Sequence, residues 1–192
     1  MLVLASRSPR RADILQQAGV HFVVDSADID ESPLPQESPR DLVSRLATAK
    51  VRAVAQRHPH DVVVLGADTT VDLDGDILGT PHDITEARWM LSRLAGRTHA
   101  VHTAVCVGRH DTFTTLTDSA NVTMRAFSQA EMEEYLALGE SLDKAGGYAV
   151  QGAAAGFVTQ VTGEMSTVIG LPTPVVARLL APLGLWPSPL HP

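Results

Sequence analysis

Residues 62–65 read Val-Val-Val-Leu, a continuous apolar run between Asp61 and Gly66. A strand with one face in water alternates apolar and polar side chains. A short run without alternation is a strand buried on both faces, the kind found at the centre of a sheet covered by helices on each side. The run ends in Ala67-Asp68-Thr69, so it delivers a carboxylate to its far end.

The flanking segments supply the covering layers. Leu2–Ala5 reads as a second buried strand, and Ser8-Pro9 then opens a helix, serine at the N-cap and proline at the first helical position. Ala12, Ile14, Leu15 and Ala18 form its apolar face and Gly19 its C-terminal cap. Val20–Val24 reads as a strand and Asp25–Gln36 as a polar loop. Ser38-Pro39 repeats the cap-and-proline device ahead of Leu42, Val43, Leu46, Lys50, Val51 and Val54 at helical spacing. Further on, Asp74-Gly75 marks a tight hairpin, Asp83 caps a helix, and Thr98–Gly108 with Thr112–Met124 form a long hairpin around His110-Asp111. Ser128 and Glu131 spell a capping box. Leu142–Gly156 is glycine-rich and irregular, Phe157–Val161 a strand, Thr173-Pro174 the start of the last helix, and Trp186–Pro192 a proline-broken tail. Alternating helices and strands, with hairpins among them, predict an α/β fold on a mixed sheet.

Charge and cysteine content narrow the function. A net charge of −7 opposes a role in coating nucleic acid, where affinity comes from neutralising many phosphates. Arg7, Arg10 and Arg11 are therefore a local basic spot on an acidic protein, suited to a small polyanion in a cleft. A single cysteine, Cys106, cannot form an internal disulfide. With no signal-peptide pattern in the opening residues and no apolar run of membrane-spanning length, the expected location is the cytoplasm, away from membranes.

The chemistry gathers in a few places. In LASRSPRR (4–11) a strand turns directly into a helix, which exposes backbone N–H groups and the positive end of the helix dipole. Ser6, Ser8, Arg10 and Arg11 add hydroxyl and guanidinium donors there, a combination that reads as a phosphate site. Asp68, at the mouth of the buried strand, can hold a divalent metal or accept a proton from water; alternatively it is a turn aspartate bonded to its own backbone. Among the loop acids Asp28, Asp30 and Glu31, Glu31 is the candidate to join Asp68 as a metal ligand. Lys50 interrupts the apolar face of its helix and either snorkels to solvent or faces the cleft as a counter-charge. Asp143, Lys144 and Gln151 stand in a stretch whose glycines permit close approach to a ligand, and Gln151 offers donor and acceptor to a base edge. His99 and His102, three apart on a strand, face opposite sides; His58 and His60 read as surface and Cys106 as core. No serine, histidine and aspartate arrangement is legible.

Taken together, LASRSPRR (4–11), GADTTV (66–71), GTPHDITEARWML (79–91), LDKAGGYAVQG (142–152) and VIGLP (168–172) resemble the motifs of the Maf family of nucleotide pyrophosphatases, in the family's order and across nearly the whole chain. The resemblance implies a single Maf-like domain over 1–192, two lobes with an intervening cleft in a fold similar to the inosine triphosphatases, and often a homodimer. It implies hydrolysis of a nucleoside triphosphate to monophosphate and pyrophosphate with a divalent metal cation, Mg²⁺ or Mn²⁺. By position, Asp68 resembles the family's proton acceptor, and Arg10, Thr69 and Gln151 match the set that accompanies preference for dTTP and UTP. Read from the residues themselves, Lys50 and Lys144 are expected to join the opening motif as substrate contacts. The alternatives are a pyrophosphatase of broader specificity for modified nucleotides and a non-catalytic nucleotide-binding regulator of cell division. In one departure, Thr80 stands where the family usually has lysine; Arg7 is a candidate to compensate.

Overall fold

The computed structural model describes residues 1–187, so the predicted tail lies outside it from residue 188 onward. Leu2–Leu4 (β1), Val23–Val24 (β2), Val63–Leu73 (β3), Asp76–Leu78 (β4), Thr98–Arg109 (β5), Thr112–Met124 (β6) and Val158–Thr162 (β7) form one sheet. Its order is β2-β1-β3-β5-β6-β7, with β4 paired to β3. β1 runs parallel to both β2 and β3, and the remaining pairs are antiparallel, so the sheet is mixed.

Strand alternation sends neighbouring residues to opposite faces. Val64, Ala104 and Cys106 meet the long helix Pro39–Ala55 (α2) on one face. On the other, Leu65, Ala67 and Val105 pack with Pro9–Gln17 (α1) and Thr173–Leu180 (α6). Farther along that face, Val71, Leu73 and Val101 pack with Ile84–Leu94 (α3) and Gln129–Ala137 (α4). Between these two apolar clusters stand Thr69 and Thr103, their hydroxyls 2.9 Å apart.

α2 lies close to the sheet because of glycine. A Cβ added at Gly66 would come 2.8 Å from Val51 Cγ2, inside contact distance, so the bare backbone at 66 lets the helix settle. The caps of α2, α3 and α4 form as their sequences require: Ser38, Asp83 and Ser128 accept from the N–H groups of Asp41, Glu86 and Glu131.

Several predicted boundaries move. The central strand does not stop at Ala67-Asp68-Thr69; it continues to Leu73 because β5 pairs with it from Val63 to Asp72. The strand expected over 20–24 contracts to Val23–Val24. The Val20 N–H is spent on Leu15 O at the end of α1, and β1 offers only Val3 and Leu4 as partners. A short helix, Met165–Ile169 (α5), closed by Gly170 at φ 117°, is too brief to leave a periodic signal. Ser8 takes the N-cap position of α1, but its side chain makes no cap bond; its own N–H donates to Ser6 Oγ instead. Among the described residues no helix is long and apolar enough to cross a membrane.

Candidate active site

The sheet leaves a gap. β1 pairs with β3 only through Leu65, and β4 begins to pair at Val71. Between them β3 is covered along one edge by β5 while its other edge lies open, and a cleft of about 800 Å³ occupies that opening. Asp68 and Thr69 therefore reach the cleft from mid-strand rather than from a strand end.

Asp68 is buried, 6% exposed, on the α2 side of the sheet. Its Oδ1 accepts from Lys50 Nζ at 2.6 Å, and the same ammonium lies 3.0 Å from Glu31 Oε1. Lys50 thus turns inward, which settles the choice left open by its place in the helix. Burial pushes the Asp68 carboxyl up, while the charges of Lys50 and Arg11 pull against that rise. A carboxylate whose pKa rises toward neutrality is better matched to accepting a proton from water.

Thr69 points to the opposite face, where Arg11 is anchored. The Arg11 guanidinium donates to Thr69 Oγ1, Ser6 Oγ and Gly170 O at 3.1, 3.2 and 2.8 Å. Burial lowers the Arg11 pKa and Asp68 opposes the fall, yet a guanidinium stays charged under these conditions. Arg10 reaches across to the irregular 142–152 segment, donating to Asp143 Oδ2 at 2.8 Å and Asp143 O at 3.0 Å. Lys144 donates to Glu140 O and Asp143 Oδ1.

The cleft is lined by Ser8, Arg10, Arg11, Glu31, Lys50, Asp68, Thr69, Lys144 and Gln151 together, and by Thr80. Ser6 lines an adjoining hollow with Arg7, Ser8, Arg10 and Arg11. The sequence-predicted site residues, drawn from positions 6 to 151, thus line this cleft, except Ser6, which lines only the adjoining hollow and reaches the cleft through its bond to Arg11. Arg7 and Thr80, by contrast, line different hollows.

Asp68 and Glu31 are hard oxygen donors, both in contact with the Lys50 ammonium at 2.6 and 3.0 Å, so a cation held by the two would take the place of that ammonium. That donor set fits Mg²⁺ or Mn²⁺, which are held through one or two carboxylates plus phosphate oxygens. Among the described residues no group of three or more His, Cys, Asp and Glu side chains forms a metal cage, so the remaining ligands would come from substrate and water.

The profile of a family described as Maf-like protein matches residues 1–183. The chain belongs to the Maf-like protein family. Among Maf-like relatives, a "dTTP/UTP pyrophosphatase" of Myxococcus xanthus (strain DK1622) is 49% identical over 96% of this chain and 93% of its own length. Proteins of the same name from Symbiobacterium thermophilum and Anaeromyxobacter dehalogenans (strain 2CP-1) are 43% and 46% identical. They cover 95% and 98% of this chain, and 94% and 98% of their own lengths. Among solved structures, a nucleoside-triphosphatase / dITP/XTP pyrophosphatase from Mycobacterium abscessus aligns over 95% of this chain and 96% of its own. Its TM-score of 0.46 and 13% identity are too loose to carry an argument.

Two features of this Maf-like cleft escaped the sequence reading. Asp143 was visible as one of a charged pair, but its grip on Arg10 spans 133 positions and has no local signature. Trp89, a half-exposed aromatic on α3, lines the cleft as well; a lone aromatic on the polar side of an amphipathic helix was the available signal. A serine, histidine and aspartate do meet in the fold, away from the cleft and with no local signature in the sequence. Ser119, His102 and Asp72 form a hydrogen-bonded chain, 2.7 and 3.0 Å at the two imidazole nitrogens. The three share the α2 face of the sheet through alternation in β3, β5 and β6. Arg40 donates to Ser119 Oγ, and none of the three lines either hollow, so the chain ties strands together.

Proposed function

We propose that this protein hydrolyses nucleoside triphosphates, dTTP and UTP foremost, to the monophosphate and pyrophosphate. The observation that carries the reading is a buried Asp68 opening into the same cleft as Arg10, Arg11 and Lys50, in a chain whose relatives bear that activity in their names. The whole described chain acts as one unit around this cleft.

The triphosphate tail lies against Ser6, Ser8, Arg10, Arg11, Lys50 and Lys144, whose donors neutralise its oxygens. Asp68 takes a proton from water; the water oxygen bonds to the α-phosphorus, and the bond to the bridging oxygen breaks. Pyrophosphate leaves with that electron pair. A divalent cation, held by Asp68 and Glu31, would neutralise phosphate charge and polarise the scissile linkage. Lys50, between the two carboxylates, keeps both oriented toward that point before substrate arrives.

Base choice falls to Arg10, Thr69 and Gln151, and the bonding around Thr69 supports a preference. Thr103 spends its hydroxyl proton on Thr167 O. Thr69 must therefore donate to Thr103 Oγ1 while accepting from Arg11. Toward a ligand Thr69 can accept but not donate. The ring N3 of thymine and uracil carries a proton to give, whereas that of cytosine is an acceptor. Location in the cytoplasm and a homodimeric state belong to the same reading; the lone, buried Cys106 supports the first, and family resemblance alone the second.

The test is pyrophosphate release across canonical and modified nucleoside triphosphates with Mg²⁺ or Mn²⁺. Turnover of dTTP and UTP, weak turnover of dCTP, and loss of turnover in a folded Asp68→Asn variant are expected. Full activity in that variant would remove Asp68 from the reaction, and silence across the panel would remove the reading itself.

A further inference from the structure

The cleft is two-sided in character. Where β1 hands over to α1 and α2 passes, the lining is cationic and hydroxylic. Where β4 and α3 close the other side, it holds Ile77, Trp89, Met90 and Val150. These two sides are separated by the open stretch of β3 from Leu65 to Val71, which spans about 20 Å of strand. An anionic tail with a planar, apolar-faced base at its end can satisfy such a cleft in only one direction.

Trp89 has the attributes of a base platform. It is 50% exposed, the largest side chain in the cleft left so open. Its ring is not loose, however. The Arg93 guanidinium sits 5.0 Å from the ring centroid, and Arg93 is itself held by Asp76 Oδ2 at 2.5 Å. A cation held over an aromatic ring is an attractive contact, and this one fixes the indole while leaving the rest of it to the cleft. Ala87, two residues back on α3, packs against the backbone of Gly147, 3.5 Å from where a Cβ there would lie. That contact holds α3 against the segment that carries Lys144 and Gln151, and Trp89 lines the same cleft as those two residues.

We propose that Trp89 is the stacking surface for the nucleobase, with Arg93 as its positioning residue. This rests on the triphosphate reading above. Every base has a π-face, so stacking on Trp89 supplies affinity without discrimination. Choice among bases is left to hydrogen bonds at the base edge, where Thr69 and Gln151 are the candidates.

Trp89 and Trp186 are the two tryptophans of the chain, which gives a readout independent of turnover. In an Asp68→Asn, Trp186→Phe background, dTTP should quench Trp89 emission saturably, and inorganic triphosphate, which has no base, should not. In the otherwise unchanged enzyme, Trp89→Ala should raise KM roughly 5- to 100-fold, by a similar factor for dTTP and UTP, with the loss falling on KM rather than kcat. Trp89→Phe should recover most of it. An unmoved KM in Trp89→Ala while dTTP is still hydrolysed, or equal quenching by inorganic triphosphate and dTTP, would overturn the platform and leave the triphosphate reading standing. Absence of both binding and turnover for every nucleotide would overturn the two together.

Discussion

Thr80 sits in the cleft wall, exposed, between Gly79 and the buried Pro81. Its backbone is not free to drift, because Gly79 O accepts from Gly146 N at 3.0 Å. A lysine at 80 would start from a fixed point and extend an ammonium into the same cleft as Lys144 and Arg10. Arg7 is no substitute for it, being exposed and lining the adjoining hollow. One preorganised donor at a developing charge typically alters rate by ~100-fold, so Thr80→Lys should raise kcat for dTTP toward that factor in the pyrophosphate-release assay. An unchanged kcat would mean that the cations already present meet the charge on the tail. At this scale the sequence was readable in kind: three arginines and two serines at a strand-to-helix turn announced an anion. It was silent on commitments already made inside the protein, such as Arg11 bonded to Gly170 and Arg10 to Asp143, since those partners are distant in the chain.

The helix α2 and the strand β3 show how an element places a catalytic geometry. Lys50 reaches Asp68 because α2 lies low on the sheet, and it lies low over Gly66, where a Cβ would fall 2.8 Å from Val51 Cγ2 and 3.4 Å from Ala47 O. Gly66→Ala must lift the helix or twist Val51 off its rotamer, an overpacking cost of about 1–3 kcal/mol. For a chain of this size that is on the order of 2–10 °C in Tm. The same lift draws Lys50 Nζ away from Asp68 and Glu31, so kcat should fall along with Tm; a drop in Tm with kcat intact would separate the helix seat from the site. Both elements were legible, the helix from its apolar spacing and the strand from its unbroken valines. What the sequence did not show was that the valine run and the arm over 69–73 that leads to the Asp74-Gly75 hairpin are one strand, joined because β5 pairs along both. For the same reason Asp68 was expected at a strand end and is found in mid-strand, exposed to ligand by the absence of a neighbour on one edge.

Across the whole molecule the site is a meeting of distant segments, and the bond between His99 and Tyr148 shows how that meeting depends on pH. His99, on β5 and 3% exposed, contacts the Tyr148 hydroxyl through Nε2 at 2.7 Å, while its Nδ1 has no partner. Tyr148 belongs both to the apolar cluster under α3 and α4 and to the lining of the cleft, so this contact pins the 142–152 segment to the sheet. Burial takes the imidazole pKa from 6.5 down to about 4. The folded state therefore prefers neutral His99, and the unfolded chain takes up a proton first as acid is added. Stability from this group is whole above pH 6.5 and drains away as the pH falls toward 4, by about 3 kcal/mol in all. His99→Gln keeps an amide that can meet the tyrosine but has nothing to protonate. Between pH 7 and pH 4 the wild-type Tm should fall further than that of the variant, by on the order of 6–12 °C. Other acids and histidines titrate in both proteins and cancel in the difference. Equal slopes would show that His99 is solvated enough to charge without cost, and the segment carrying Asp143, Lys144 and Gln151 would then need another anchor.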